Sequence, residues 1–299
     1  MKYMLMNTFR ANAFTKDSDV QVTWVNNSTL EIKFADNSTD RILLSPSSNI
    51  PGQVTPCLFS GSLKNDPKST VAVSGCSYSL QTSMTISSQL LPEGLIDLVI
   101  VNGTTYEDVE DLELNMNGFE NDAYQPKARM KRQAFTNEGQ DVFIAPRNPT
   151  PVRSAFTGPL PAKVSLKTAI KYDISLKEHF GNSDSQTKDW INRVVELTKP
   201  RMMDSSINLP IEIKVGKVDF LNRRIKADGP SIRSLRPTSL TSYFCKDLGG
   251  GTVGVAYLET ACRTDGFGVN INELFTLTNS ELATARVFAH ELGHNIGME

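Results

Sequence analysis

Short β-branched and aromatic runs fill the first hundred residues. Val22-Thr23-Trp24-Val25, Leu30-Glu31-Ile32-Lys33-Phe34 and Thr70-Val71-Ala72-Val73 are separated by clusters of Asn, Ser, Gly and Pro. Residues 21–44 and 56–101 therefore read as strands joined by turns. After residue 162 the period changes. Lys163 to Asp173 alternates like a half-buried strand. Ser183 to Met203 places Trp190, Ile191, Val194, Val195 and Leu197 largely on one helical face, with Ser183 or Asp184 as N-cap. Leu209 to Phe220 returns to strand periodicity, and a looser helical pattern spans Ile232 to Leu240. A strand is expected from Val253 to Leu258 after the turn Gly249-Gly250-Gly251, and Ser280 can cap a final helix running through His294. The pattern predicts a β-rich first part and a second part that mixes strands with long helices, α+β/α/β overall, without internal repeats.

At 299 residues and 33.0 kDa the chain suits two domains, and an apolar content of 39% is enough for real cores. No run of about 18 apolar residues occurs, which excludes a helical membrane span in this chain. The net charge of −2 gives no reason to expect nucleic acid as a partner. Its distribution is uneven: residues 1–122 carry 7 basic and 15 acidic side chains, residues 123–299 carry 24 and 18. The junction is marked too. An acidic run, Tyr106 to Glu113, gives way to Lys127-Ala128-Arg129-Met130-Lys131-Arg132, whose Arg129, Lys131 and Arg132 form a cleavage signal for a convertase-type processing protease. Pro146, Pro149, Pro151, Pro159 and Pro161 then mark a linker over residues 133–161. The expected organisation is a β-rich unit over 1–132, the linker, and a second unit over 162–299.

Compartment follows from modification signals. Asn27, Asn37 and Asn102 begin glycosylation sequons, all in the first half. The cysteines fall as Cys57 with Cys76 and Cys245 with Cys262, without zinc-finger spacing, so one disulfide per half is expected in an oxidising environment. Both features suit a secreted protein, although Met1 to Met6 does not read as a signal peptide.

The chemistry lies near residue 290. His290-Glu291-Leu292-Gly293-His294 sets two imidazoles at i and i+4 on one helical face, where both reach a single metal ion, with Glu291 beside them as base for a water nucleophile. Of the 3 histidines, His179 reads as a helix-end residue outside this site. Gly297, three residues after the second histidine, is placed to turn the chain sharply. Gly293 reads as a packing residue and Met298 as an apolar helix-end residue.

His290 to Glu299, ending Asn295-Ile296-Gly297-Met298-Glu299, resembles the HExxHNxGM-(E/Q)-H pattern of the reprolysin or adamalysin branch of the metzincins, which includes ADAM, ADAMTS and snake-venom metalloproteases. Thr252 to Cys262 is similar to that family's segment before the active-site helix, and Lys171 to Trp190, with Phe180-Gly181-Asn182, to its first strand and helix. Pro56 to Gly61, followed by Asp66 to Cys76, resembles its propeptide pattern. The resemblance implies a zymogen: a propeptide over 1–132 with a Cys57–Cys76 bridge and maturation after Arg132, then the upper subdomain of a metzincin catalytic domain over 162–299. It implies Zn²⁺ held by His290, His294 and a third His one position beyond Glu299, with Glu291 as catalytic base and Gly254, Val255 and Ala256 pairing with substrate backbone. The implied activity is endopeptidic hydrolysis of extracellular proteins or peptides. The propeptide acts as inhibitor, an acidic unit lying on a basic one; Lys127-Ala128-Arg129 lacks the cysteine that a cysteine switch needs. The competing readings are a catalytically inactive truncated isoform that binds or sequesters targets, and an intracellular β-rich binding module with an accidental HExxH.

Overall fold

The computed structural model describes residues 16–17, 20–91, 94–107 and 163–298, except 205–206, 208–209, 227–230, 233, 236, 249–252, 258, 263–265 and 276–279. The convertase motif at Arg129, Lys131 and Arg132, the linker and Glu299 lie outside the described residues.

The first half is an antiparallel meander: β1 (Lys16–Asp17), β2 (Gln21–Asn26), β3 (Thr29–Lys33), β4 (Thr39–Pro46), β5 (Leu58–Leu63), β6 (Thr70–Ser74), β7 (Gln81–Ser87), β8 (Leu95–Val101) and β9 (Thr104–Glu107). Strands β2 to β9 pair in sequence order, and the sheet curls until its ends meet. There the Val22 N–H donates to Thr105 Oγ1 at 2.9 Å and the Thr105 hydroxyl faces the Val22 carbonyl at 3.4 Å. A side chain thus takes the place of ladder bonds at the seam, which leaves less open edge. Leu30, Ile32, Ile42, Leu63, Val71, Met84, Ile86 and Leu98, none measurably exposed, fill the barrel. Asn27, Asn37 and Asn102 are exposed in hairpin turns, Asn37 and Asn102 with positive φ. Cys57 and Cys76 are disulfide-bonded, joining the β4–β5 loop to the β6–β7 turn.

Strands β6 to β8 depart from simple alternation. Ala72, Ser74, Ser83, Thr85, Ser87, Asp97 and Val99 alternate with the barrel-filling residues, yet they are buried as well. Small and hydroxyl side chains here are the outer face of a barrel wall covered by helices, and two-sided burial replaces the inside/outside rhythm.

The second half comprises β10 (Val164–Asp173), α1 (Ile174–His179), α2 (Asp184–Met202), β11 (Ile211–Leu221), β12 (Thr241–Cys245), β13 (Gly254–Ala256), β14 (Val269–Glu273) and α3 (Ser280–Ile296). Its sheet runs β11-β10-β12-β14-β13, parallel except for β13, which lies antiparallel on the edge beside β14. Ser183 caps α2 by accepting from the Gln186 N–H at 3.3 Å. His179 ends α1, exposed, edge-on to Phe180. Of the helix expected over 232–240, Ile232 is helical with Ser231 before it, Ser234 and Leu235 lie in turns closed by Ser234 N–H to the Ser231 carbonyl and Leu235 N–H to the Ile232 carbonyl, and residues 237–240 are not helical. Pro237 has no N–H to donate to a helical turn, so the pattern does not propagate through it.

Helices α2 and α3 lie between the sheet and the barrel wall. Val194, Val195, Leu197, Phe244, Ala285, Phe288 and Leu292 form one cluster that also takes in Ala72 and Val99 of the barrel. Helix α2 is buried around most of its circumference, not on one face as its apolar residues suggest. Its polar stripe is satisfied by the β4–β5 loop. Asn192 Oδ1 accepts from the Asn49 N–H (2.8 Å), and its amide donates to Thr55 Oγ1 (2.7 Å). Glu196, 1% exposed, accepts from Ser47 Oγ (2.6 Å), Asn49 Nδ2 (2.7 Å) and Lys199 Nζ (3.0 Å).

Among the described residues the two halves do not meet as an acidic surface on a basic one. The second half contributes Asp189, Glu196 and Glu281 to these contacts as well as Arg193, Arg201 and Arg286, and most barrel groups they meet are hydroxyls, amides and carbonyls. The expected complementarity of net charge gives way to matched hydrogen bonds, because buried polar groups need specific partners while exposed charges remain hydrated.

Candidate metal centre

Phe288, Glu291, Leu292 and Asn295 recur at i, i+3, i+4 and i+7 on α3, and all four are buried. Two polar residues on an apolar row need partners, and Asn295 has many. Its amide donates to the Tyr257 carbonyl (2.9 Å), the Val269 carbonyl (3.0 Å) and Thr260 Oγ1 (3.1 Å). Its Oδ1 accepts from Asn270 Nδ2 at 2.8 Å, and Asn270 Oδ1 accepts from Asn272 Nδ2 at 2.9 Å. The Asn295 carbonyl takes the N–H groups of Thr260 and Ala261, and the His294 carbonyl takes that of Glu259. The end of α3 is thereby fixed to the β13–β14 connection. The sequence motif contains Asn295 but assigns it no role; the signal was a polar residue in step with Phe288 and Leu292.

His290 and His294 occupy the neighbouring, more exposed row. Their Nε2 atoms are 3.0 Å apart and their ring centroids 4.4 Å apart, so both point at one location. That separation suits two ligands each about 2 Å from a single zinc ion. His294 Nδ1 lies 3.2 Å from the Met298 carbonyl. A carbonyl only accepts, so this contact places the proton on Nδ1 and leaves the Nε2 lone pair for an ion. The donor pair fits the first two ligands of a zinc site. Among the described residues no group of three or more His, Cys, Asp or Glu side chains gathers around one point.

Gly297 makes the Met298 contact possible. Its φ is +90°, the Met298 N–H bonds the Gly293 carbonyl (2.9 Å), and the Gly297 N–H bonds the His294 carbonyl (3.1 Å), which together form a Schellman closure. Gly297→Ala is expected to destabilise the fold by about 1–2 kcal/mol and, by displacing the Met298 carbonyl, to weaken zinc binding roughly 10- to 100-fold. Thermal denaturation and metal titration together check this; an unchanged zinc affinity would separate the turn from the site. Gly293 is less constrained than expected, since an added Cβ would meet Met298 at an ordinary 3.6 Å.

Glu291 is 5% exposed, and burial pushes its carboxyl up to about 8. Gly254 stands directly against it: a Cβ on Gly254 would lie 2.5 Å from Glu291 Oε1 and 2.7 Å from Val287 Cγ1. Glycine is what lets β13 approach the carboxylate. Val255 and Ala256 complete this strand, and the sheet order ends with it, so among the described residues its second edge has no neighbouring strand.

The cysteine pair expected in this half is not formed. Cys245 is buried in β12 with Sγ 3.8 Å from the Asn272 carbonyl, and burial raises its thiol pKa; Cys262 is exposed. Cys245 stands beside Glu273 at the last position of β14, whereas Cys262 lies in the β13–β14 connection, ahead of the first position of β14 at Val269.

Residues 160–299 match the model of the metallo-peptidase family M12B, reprolysin-like, which supports a reprolysin-type metallopeptidase domain there. Two relatives, the zinc metalloproteinase-disintegrin-like brevilysins H2a and H2b of Gloydius brevicauda, are each 30% identical over 46% of this chain and 35% of their own length. The chain thus spans about a third of these curated relatives. A chain from a solved chaperone–substrate complex aligns with 46% of this protein and 24% of itself at 14% identity, with a TM-score of 0.34, which carries no argument about fold or function. Among the described residues no helix is long and apolar enough to cross a membrane.

Proposed function

We propose that the chain belongs to a secreted zinc metalloendopeptidase zymogen: the barrel is the propeptide, Arg129, Lys131 and Arg132 mark the convertase site, and Asn27, Asn37 and Asn102 carry glycans. The observation that supports it most is the convergence of His290 and His294 Nε2 at 3.0 Å, with the Glu291 carboxylate on the adjoining buried row. His290 and His294 would hold Zn²⁺ together with a ligand from outside the described residues. When bound, the ion supplies a Lewis acid for a peptide carbonyl and for water.

The remaining work belongs to the chain. The open edge of β13, through Gly254, Val255 and Ala256, orients an extended substrate by backbone hydrogen bonds. A Glu291 carboxylate oxygen takes the proton of the attacking water and returns it to the departing amine nitrogen.

The test is peptide cleavage by the native protein after convertase treatment, assayed with a chelator and then with added Zn²⁺. Cleavage should cease with the chelator and return with zinc, at one ion per chain. Chelator-resistant cleavage sinks the proposal; stoichiometric zinc without cleavage favours a protein that binds its targets without cutting them.

A further inference from the structure

The outer face of the second sheet carries a row of cations. Lys163, just before β10, and Lys167 and Lys171 on it belong to the set of alternate side chains that points away from the helices, while Leu166, Ile170 and Tyr172 are buried on the other face. At about 3.3 Å per residue the three lysines span roughly 26 Å along the strand. On the neighbouring strand β11, Lys214 stands in register with Lys167, and Lys217 with Ala169 after a bulge. Gly216 lies at that bulge. A Cβ there would stand 3.0 Å from Lys167 Cε and 3.8 Å from its Cγ, so the Lys167 stem lies across the space the glycine leaves, on the β11 side. Lys171 is in register with Tyr243 of β12, its ammonium 6.0 Å from the ring centre. Arg223, in the loop after β11, acts on the same tyrosine: burial raises the Tyr243 hydroxyl to about 12, and the Arg223 charge opposes the rise.

Carboxylates answer this row only in part. Glu212 lies 3.3 Å from Lys163 and 3.4 Å from Lys214, which together hold its carboxyl below its ordinary value, and Asp219 lies 2.7 Å from Lys217. Among the described residues Lys167, Lys171 and Arg223 have no carboxylate within ion-pair distance. Lys167 and Lys214 are like charges on adjacent strands, whose repulsion an anion lying between them relieves. The side chains of Lys163, Lys214 and Lys217 are more than half exposed, so the row is open to a ligand.

We propose that this face docks a linear sulfated polysaccharide, with sulfates along the β10–β11 row and one of them between Lys167 and Lys214. An extended row on a sheet face fits an extended polyanion. Single-stranded nucleic acid is held on exposed aromatic rings, and none lies in the row: Tyr243 is 1% exposed, and Phe220 lies against Tyr172 on the other face. A bilayer surface takes inserted apolar side chains, and the row offers none. The secreted reading supplies the source of the polymer; binding itself does not require the protein to be a peptidase.

The test measures binding of a fluorescent heparin oligosaccharide to the whole chain between about 0.05 M and 0.2 M NaCl. Affinity should fall as salt rises. Lys167→Gln/Lys214→Gln should bind about 10-fold more weakly and reduce the slope of log affinity against log salt by about 1.5. Thermal denaturation checks its fold, and loss of a like-charge pair should leave the melting temperature no lower than wild type. If it melts lower, Lys167→Gln alone takes its place, with a slope change of about 0.8. Lys33→Gln/Lys64→Gln, at exposed barrel positions, changes net charge equally and should bind as wild type does. Desulfated heparin, a single-stranded oligonucleotide and phosphatidylserine vesicles should each bind about 10-fold more weakly than heparin. No heparin binding at the lowest salt overturns the proposal, as does an equal loss in the barrel variant or wild-type binding by the sheet variant. An oligonucleotide or vesicle that binds as tightly as heparin overturns it too. Peptide cleavage plays no part in these measurements, so their failure and that of the hydrolase reading are distinguishable.

Discussion

Glu291→Gln is expected to lower kcat/KM for peptide hydrolysis by about 10²- to 10⁴-fold while zinc binding and thermal stability stay close to wild type. Gln has nearly the shape of Glu and sits in the same buried slot against Gly254, so packing and the β13 approach are preserved. What it cannot do is accept a proton from water. Because the carboxyl is 5% exposed and burial is the cause of its raised proton affinity, no solvent-borne base replaces it at the same place. Measuring metal content alongside kcat/KM distinguishes loss of the base from loss of the ion. Activity within tenfold of wild type, with zinc fully bound, rules out Glu291 as the base.

Asn295→Ala is expected to cost roughly 3–5 kcal/mol, read from chemical denaturation. The side chain is wholly buried and serves the Tyr257 and Val269 carbonyls, Thr260 Oγ1 and Asn270 Nδ2. Removing it strands several buried polar groups at once, at about 1–3 kcal/mol each, and partial relaxation keeps the total below their sum. The loss also reaches the metal centre, because Asn295 follows His294 directly and ties the end of α3 to the β13–β14 connection. Zinc affinity should fall in the same variant. A change below 1 kcal/mol would mean that water satisfies these groups and that the network does not hold the helix end.

Much of the candidate site was legible in the linear chain. The i, i+4 spacing of His290 and His294 is a local property of a helix, and the positive φ of Gly297 follows from where a helix must end and turn. Strand runs with alternating burial, such as Thr29–Lys33 and Val164–Asp173, were likewise readable from period two. Less legible were residues whose role depends on a distant partner. Asp97 is one polar residue in a strand, Ser74 and Thr85 are unremarkable hydroxyls, and Glu196 and Asn192 sit on what looks like the solvated side of α2. The pairing of Cys245 with Cys262 was suggested by their place in one half of the chain, which says nothing of the strand that separates them.

The sequence by itself determined the local devices: the helix that carries the two histidines, the glycine that closes it, the hairpin turns of the first half, and the family resemblance of residues 160–299. Tertiary structure alone decided that the barrel seam is closed by Thr105, that α2 is buried around most of its circumference, that β13 rests against Glu291, and that one carboxylate, Asp97, joins Arg201 and Arg286 across the halves. The difference is physical. Helix spacing, caps and turns are fixed by backbone geometry within a few residues, whereas a buried polar group takes its meaning from whichever distant group satisfies it, and that is set only when the elements pack.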